Sequence, residues 1–386
     1  SGSTFRHRVT VMTVRGKKAN IAFKYRILPD SRQKELFSKT FGCCRKIWNL
    51  MKADRDKAYQ ENNKTIYPTP AQYKKEYPFL KEVDSLALAN VQLNQNKAYR
   101  EFFKSCKEKK KLRGFPKYKS IKKSRRSYTT NNQNGTIYLG DGFIHLPKAG
   151  DVKAVIHRNP EPEWKLKSAA ISQERDGTYY CSALYEYDRD IKPAVLDKDN
   201  AVGLDYKSDG LYVDSNGNRP VSHKYYRDSQ KKLAKLQRRL SRKIGSKKVE
   251  EKSSNYVKQQ MKVNKLHTHI SNQRKDFLHK KSTEIANQYD IVCVENLNMR
   301  SMSNKGFGNG KATMDNGYGI FLKMLEYKLE NRGKYFIKVD KFYPSSQMCY
   351  ACGEIHPEMK DLSKRHIYCQ CGYHNDRDLN AALNIK

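Results

Sequence analysis

The sequence has no long apolar run. No stretch approaches the roughly 18 to 20 apolar residues that a membrane-spanning helix needs, and charged residues interrupt every strand-like segment, which excludes a helical membrane span. Nothing at the N-terminus reads as a secretory leader, and Ser1-Gly2-Ser3, without an initiator Met, reads as a remnant of cloning, so a cytoplasmic protein is expected. No tandem repeat is visible, which argues against a solenoid. The chain is short of acid as well, with 40 Asp+Glu against 77 Lys+Arg and a formal charge of +37 over 386 residues. A compact chain so charged repels itself unless a polyanion neutralises it, so nucleic acid is the expected partner. At this length two or more domains are expected.

The nine cysteines divide into two kinds. Cys43, Cys44, Cys106, Cys181 and Cys293 lie in apolar stretches and read as small buried hydrophobes. The other four form Cys349-x-x-Cys352, then 16 residues, then Cys369-x-Cys371. Two close thiol pairs close a tetrahedral zinc site with no open position for water, so a structural zinc ribbon is expected and not a catalytic zinc.

Residues 4–29 alternate basic and apolar positions and read as a hairpin turning at Gly16. Helical spacing begins at Ser31, the expected N-cap, with Phe37, Phe41, Ile47 and Trp48 on one face, and continues to about residue 113 with breaks at the prolines near 68–70 and 78. Residues 104–128 interleave Lys and Arg with Phe115, Tyr118 and Tyr128, a mixture suited to phosphate contact and base stacking. Alternation returns over 136–187, with Asp176-Gly177 as a hairpin turn, and these strands are expected to complete a barrel begun by residues 4–29. From residue 198 a second organisation begins: Ala201-Val-Gly-Leu-Asp205 and Ile291-Val-Cys-Val-Glu295 are buried strands ending in an acid, with Leu211-Tyr-Val213 as an antiparallel neighbour. Two basic helices lie between them, carrying Leu233, Leu236 and Leu240, then Val263, Leu266 and Ile270. Residues 306–319 read as a glycine-rich mobile loop, 320–332 as a helix stopping at Gly333, and Tyr335 begins a strand.

A lone acid after an apolar strand is more often a turn former or cap, and Asp376 reads as an N-cap. Asp205, Glu295 and Asp378 together suggest more, because hard divalent cations take oxygen ligands and two-metal phosphodiester hydrolysis uses bridging carboxylates. The ordered motifs Gly203-Leu-Asp205, Val294-Glu295-Asn-Leu297, Pro344-Ser-Ser-Gln-Met-Cys349-Tyr-Ala-Cys352-Gly353 and Asp376-Arg-Asp-Leu-Asn-Ala-Ala382 resemble the signatures of TnpB proteins. Further likeness lies in Arg26-Ile-Leu-Pro29, Phe41-Gly-Cys-Cys-Arg-Lys-Ile-Trp48, Gly114-Phe-Pro-Lys117 and Asn272-Gln-Arg-Lys-Asp-Phe-Leu-His279. Two departures stand out: Lys207 where many relatives continue Asp-x-Gly, and an end at Lys386 where relatives often carry a tail.

The resemblance implies a multidomain α/β plus β-barrel chain related to compact type V CRISPR effectors. The expected parts are an oligonucleotide-binding-type wedge barrel (4–30 and 114–192), a helical recognition insert (31–113), an RNase H-like RuvC nuclease (198–345 and 373–386) and a zinc ribbon (346–372). It implies RNA-guided DNA cleavage, with Asp205, Glu295 and Asp378 holding two Mg²⁺ ions, Asp376 the alternative to Asp378, and Zn²⁺ held by Cys349, Cys352, Cys369 and Cys371. The expected partners are a guide RNA from the transposon end and a double-stranded DNA target; no membrane is involved and a monomer is favoured. Trp48, Lys117, Arg125, Arg126 and Arg274 are the candidate nucleic-acid contacts. The competing readings are a nuclease-inactive RNA-guided repressor and a guide-independent zinc-ribbon accessory to transposition.

Overall fold

A computed structural model describes residues 10–11, 18–108, 114–189, 191–221, 224–244, 253–297, 317–340 and 343–386. The chain forms two compact units, Lys17–Arg189 and the combination of Ser1–Gly16 with Asp190–Lys386.

The Lys17–Arg189 unit is a seven-stranded antiparallel sheet with two helices inserted after its first strand. β2 (Lys18–Ile27) leads to α1 (Ser31–Asn62) and α2 (Ser85–Lys107). β3 (Arg126–Asn131), β4 (Tyr138–Gly140), β5 (Phe143–Leu146), β6 (Gly150–Val155), β7 (Lys165–Gln173) and β8 (Tyr179–Asp188) complete the sheet in the order β3-β7-β8-β2-β6-β5-β4. Among the described residues β3 and β4 remain the two edges, so the sheet is open where a barrel was expected. The alternation of β2 buries Phe23, Tyr25 and Ile27 against Phe37 and Phe41 of α1, and Tyr128 of β3 closes the same core. Asp30, not Ser31, is the N-cap: its carboxylate accepts from Gln33 N at 2.7 Å while Gln33 Oε1 accepts from Asp30 N at 3.0 Å. A carboxylate one residue earlier reaches the third helical amide and completes a capping box, which the Ser31 hydroxyl does not do.

In the other unit β9 (Ala201–Tyr206), β11 (Ile291–Glu295) and β12 (Tyr335–Val339) run parallel, with β10 (Tyr212–Asp214) and β1 (Thr10–Val11) antiparallel on the two edges. The expected early hairpin is therefore corrected. Thr10 and Val11 register with Lys338 and Ile337, so the first strand covers the otherwise open edge of β12 and does not pair with β2. α3 (Tyr225–Ser241) and α4 (Ser254–Gln288) pack as a pair through Leu233, Val263, Leu266 and Ile270. α4 also joins α5 (Tyr318–Glu330) on one sheet face, where Leu278, Ile285, Phe321 and Leu325 meet Val202, Leu204, Val292 and Val294. The opposite face takes α6 (Arg377–Ile385), whose Ile385 packs with Ala201, Ile291 and Cys293. A hairpin of β13 (His366–Tyr368) and β14 (His374–Asp376) precedes α6. The loop expected over 306–319 falls outside the described residues except for its last three.

Candidate active site and metal centre

Period-2 alternation decides where the two strand acids point. Val202, Leu204, Val292 and Val294 face α4 and α5, so Ala201, Gly203 and Asp205, with Ile291, Cys293 and Glu295, face α6. β9 and β11 are parallel with Leu204 opposite Val294, so Asp205 and Glu295 follow side by side at the carboxyl ends of the strands. Asp378 comes from the first turn of α6. All three acids are half-buried, which leaves them reachable from solvent.

Gly203 sets how close α6 comes. A Cβ there would overlap the Ala382 carbonyl oxygen and lie 2.6 Å from the Lys386 nitrogen, both backbone atoms that cannot swing away. The buried Ala381 and Ala382 supply the matching smooth surface on the helix. Gly203→Ala is therefore expected to push α6 off β9, at a cost of about 1–3 kcal/mol from overpacking, and to lower cleavage by more than that loss of stability alone explains. Circular dichroism melts beside a cleavage assay check this; a variant that cuts at the wild-type rate would show that the close approach is dispensable.

Two asparagines of α6 tie it to the turn that enters the cysteine cluster. Asn380 donates to Met348 O at 2.8 Å and accepts from Tyr350 N at 3.2 Å, while Asn384 donates to Ser345 O at 2.8 Å and to Met348 O at 2.7 Å. Asp376 is the N-cap expected of it, accepting from Asp378 N at 3.0 Å and Leu379 N at 3.1 Å and pairing with Arg219 at 2.6 Å. Its carboxylate is thus committed to holding the helix start, whereas the Asp378 charge acts on Asp205.

The electrostatics of the cluster are those of crowded anions. Burial pushes Asp205 well above the ordinary carboxylate range, the Glu295 and Asp378 charges push it further, and Arg377 offsets part. Burial likewise raises Glu295. The sequence reading missed the wall beside them: the fully buried Tyr318 ring lies 4.9 Å from Tyr206 and 6.0 Å from Phe321. Tyr318 opens α5 and looked from the sequence like part of a loop. Lys207 stood out in the sequence only as a departure from Asp-x-Gly, and its partner did not: its ammonium reaches Asp378 Oδ2 at 3.2 Å across 171 residues of sequence.

The four ribbon cysteines come together. Their sulfurs all lie within 4.8 Å of one another, with Cys349 to Cys371 at 3.7 Å and Cys352 to Cys369 at 3.5 Å. A tetrahedron of thiolates at the zinc–sulfur distance has edges of about 3.8 Å, so the donor set fits zinc. Burial pushes the Cys349 thiol up, but amides of Cys352 and Ala351 and the Cys352 and Cys369 side chains outweigh it and bring it down to about 7. A second donor group, Glu354, His356 and Cys369, shares one thiol with the first, which donates to Glu354 Oε2 at 3.1 Å. The three acids do not close to the same 4.8 Å.

The candidate nucleic-acid contacts separate. Trp48 is corrected: it is 7% exposed, its indole nitrogen donates to Lys117 O at 3.0 Å, and Lys119 covers its ring at 3.9 Å. Its apolar helix face buries the ring, so it anchors the 114–119 segment and offers no stacking surface. Lys117, Arg125 and Arg126 are exposed in the same unit, Arg125 beside Glu174 and Arg126 on Gln173. Arg274, in the other unit, is half-buried on α4 with its stem against Gly317. Unrecognised in the sequence was a cavity of about 1480 Å³ at the ends of α1 and α2. Exposed Tyr59, Tyr67 and Phe103 and the cations Lys64, Arg100 and Lys104 line it around the buried Arg55, whose guanidinium lies 5.4 Å from the Tyr67 ring and 4.8 Å from the Tyr99 ring. Arg55 hid in the sequence because a buried cation breaks the apolar pattern that marks a helix face.

Three family models match the sequence: "Helix-turn-helix domain" (HTH_OrfB_IS605) over residues 19–64, "Probable transposase" (OrfB_IS605) over 182–305, and "Cas12f1-like, TNB domain" over 318–385. The first span is here one strand and one helix, β2 and α1. A protein of Streptomyces pristinaespiralis, provisionally named an RNA-guided DNA endonuclease, is 33% identical over 372 residues, 94% of this chain and 88% of its own. One of Escherichia coli (strain K12), provisionally named RNA-guided DNA endonuclease InsQ, is 29% identical over 389 residues, 94% and 91% of the two chains. Among solved structures, the protein of a Cas12f1–sgRNA–target DNA complex shares the fold, with a TM-score of 0.59 at 13% identity over 96% of this chain and 99% of that one. Full-length likeness to a curated relative at one residue in three, together with the ordered motifs, places this chain in the TnpB family.

Proposed function

We propose that this protein is an RNA-guided DNA endonuclease that hydrolyses DNA phosphodiesters at Asp205, Glu295 and Asp378. The observation that carries the reading is the supply of three carboxylates by two adjacent parallel strands and one helix, with Asp205 raised first by burial and then by the Glu295 and Asp378 charges. Such a cluster needs cations, and its oxygen donors suit Mg²⁺. Asp205, Glu295 and Asp378 would hold divalent ions, which would supply Lewis-acid stabilisation for phosphodiester hydrolysis. The protein's own part is to aim the carboxylates, to keep water off their apolar side with Tyr206 and Tyr318, and to hold α6 in place through Gly203, Asn380 and Asn384.

The five-stranded sheet with α6 on one face supports an RNase H-like RuvC reading, the open seven-stranded sheet an oligonucleotide-binding-type wedge, and α1 and α2 a recognition insert. The cysteine cluster supports a zinc ribbon within the nuclease. Sequence is then read by guide-RNA pairing, while the protein reads a short flanking DNA motif and grips backbones with its charge of +37. Lys117, Arg125, Arg126 and Arg274 belong to that grip, the Arg55 cavity to base contacts.

The test is to purify the protein from cells carrying its locus, sequence the bound RNA, and assay cleavage with Mg²⁺ on a matching target. A discrete RNA with one end derived from sequence flanking the element, and metal-dependent cutting directed by that end, is expected. Heterogeneous RNA or none would favour the zinc-ribbon accessory, and guided binding without cutting the inactive repressor.

A further inference from the structure

Lys207 leaves the end of β9 two residues after Asp205, with its stem against Gly210 and its amide donating to Leu211 O at 3.4 Å. The ammonium lies 3.2 Å from Asp378 Oδ2, with the two side chains 23% and 18% exposed. This is not a loose surface pair: it joins a strand to a helix from the far end of the sequence, at the acid cluster. Asp205 feels the Glu295 and Asp378 carboxylates there and, in part offset, the Arg377 guanidinium, while Asp378 has the Lys207 ammonium within 3.2 Å. A carboxylate oxygen that faces an ammonium at this distance offers a divalent ion the same lone pairs. The two cations cannot both occupy that position, and their like charges repel most where water is partly excluded.

We propose that Lys207 is a positioning residue that acts as an exchangeable counter-ion: its ammonium orients and neutralises Asp378 in the metal-free protein and is displaced from it when a divalent cation enters the site. The inference rests on the metal-site reading above. Its consequence is that the lysine lowers metal affinity while steadying the empty site, so the metal-free protein keeps α6 seated without binding cations tightly.

The experiment compares full-length wild type, Lys207→Met and Lys207→Arg by the rise in melting temperature on titration with Mn²⁺, in the absence of DNA, with Asp378→Asn as the reference for binding elsewhere. Lys207→Met, which keeps the stem and removes the charge, is expected to reach half its Mn²⁺-dependent rise at a concentration lower by on the order of tenfold, and to melt below wild type without metal. Lys207→Arg, which retains a cation, is expected to stay near wild type. Unchanged or weaker Mn²⁺ dependence in Lys207→Met would overturn the proposal, as would a gain of affinity shared equally by Lys207→Arg. If wild type and Asp378→Asn respond alike to Mn²⁺, Asp378 is not a ligand; that outcome refutes the site assignment itself and with it the role of the lysine.

Discussion

Asp205→Asn is expected to abolish cleavage and at the same time to make the metal-free protein melt at a higher temperature. The first effect follows from the proposed role of Asp205 as an oxygen ligand: the ions of such a site would supply several kcal/mol of stabilisation to the reaction, which corresponds to a loss of about 10³-fold or more. The second follows from the crowding of like charges. Asp205 is raised by burial first and then by Glu295 and Asp378, so its ionised form is disfavoured in the folded state. The sign is that of a group whose folded pKa lies above its unfolded value of about 4. Its favourable contribution is complete below the unfolded value and is lost as pH rises through the folded one, leaving a liability at neutral pH. The amide has no charge to desolvate, so stability near neutrality should rise and its dependence on pH should flatten. A unit of this size gains about 2–4 °C for each kcal/mol recovered. Scanning calorimetry from pH 4 to 8 without metal, beside a cleavage assay, checks both halves. A mutant that cuts normally removes Asp205 from the site, and one that melts lower shows that its carboxylate is structurally satisfied instead of strained. Binding to a guided target should be largely retained, because phosphate contacts elsewhere dominate affinity.

Removing zinc from the proposed four-thiol site should be the other large change. β13 and β14 are three residues each, and the buried residues around the cluster are Cys349, Met359, Ile367 and Cys369, too little to hold the segment without a metal. Structural zinc contributes about 10–16 kcal/mol of apparent binding energy in comparable peptides, and that energy is folding energy. Cys369→Ser, or a strong zinc chelator, is therefore expected to unfold residues 345–376 as seen by hydrogen exchange. The loss should travel, since Asn380 and Asn384 hold α6 by the carbonyls of Ser345 and Met348. Cleavage is expected to fall with this segment even though none of the four thiols groups with the three acids. Cys106, expected from its apolar stretch to be buried, is exposed near the end of α2, so Cys106→Ser is the control and should change nothing. Full protection of the ribbon after zinc removal would show that the thiols close without metal.

Much of the site was legible before the fold because its parts carry local signatures. Two thiol pairs at metal-ligand spacing, acids closing apolar strands, and a capping aspartate two residues before another acid are each visible within a short stretch of sequence. The Asn-Ala-Ala motif was visible too, but not its reasons: the alanines let α6 meet Gly203, and the asparagine satisfies carbonyls of the turn before Cys349. The early hairpin was misread because alternation says that a strand exists, not which strand it pairs with. Trp48 was misread because an aromatic on a helix face is equally suited to a core or a base.

What the sequence by itself determined is therefore the inventory: a strongly basic chain of more than one domain, a four-thiol centre, three acids and the family whose motifs hold them in order. Periodicity and spacing are local properties, and residues record them directly. Tertiary structure alone decided the pairings: β1 on the edge of β12, an open seven-stranded sheet, α6 seated on Gly203, and Lys207 on Asp378. Each joins groups far apart in the chain, where the outcome depends on which surfaces exclude water together and which charges are left to face one another, and no window of sequence contains both partners.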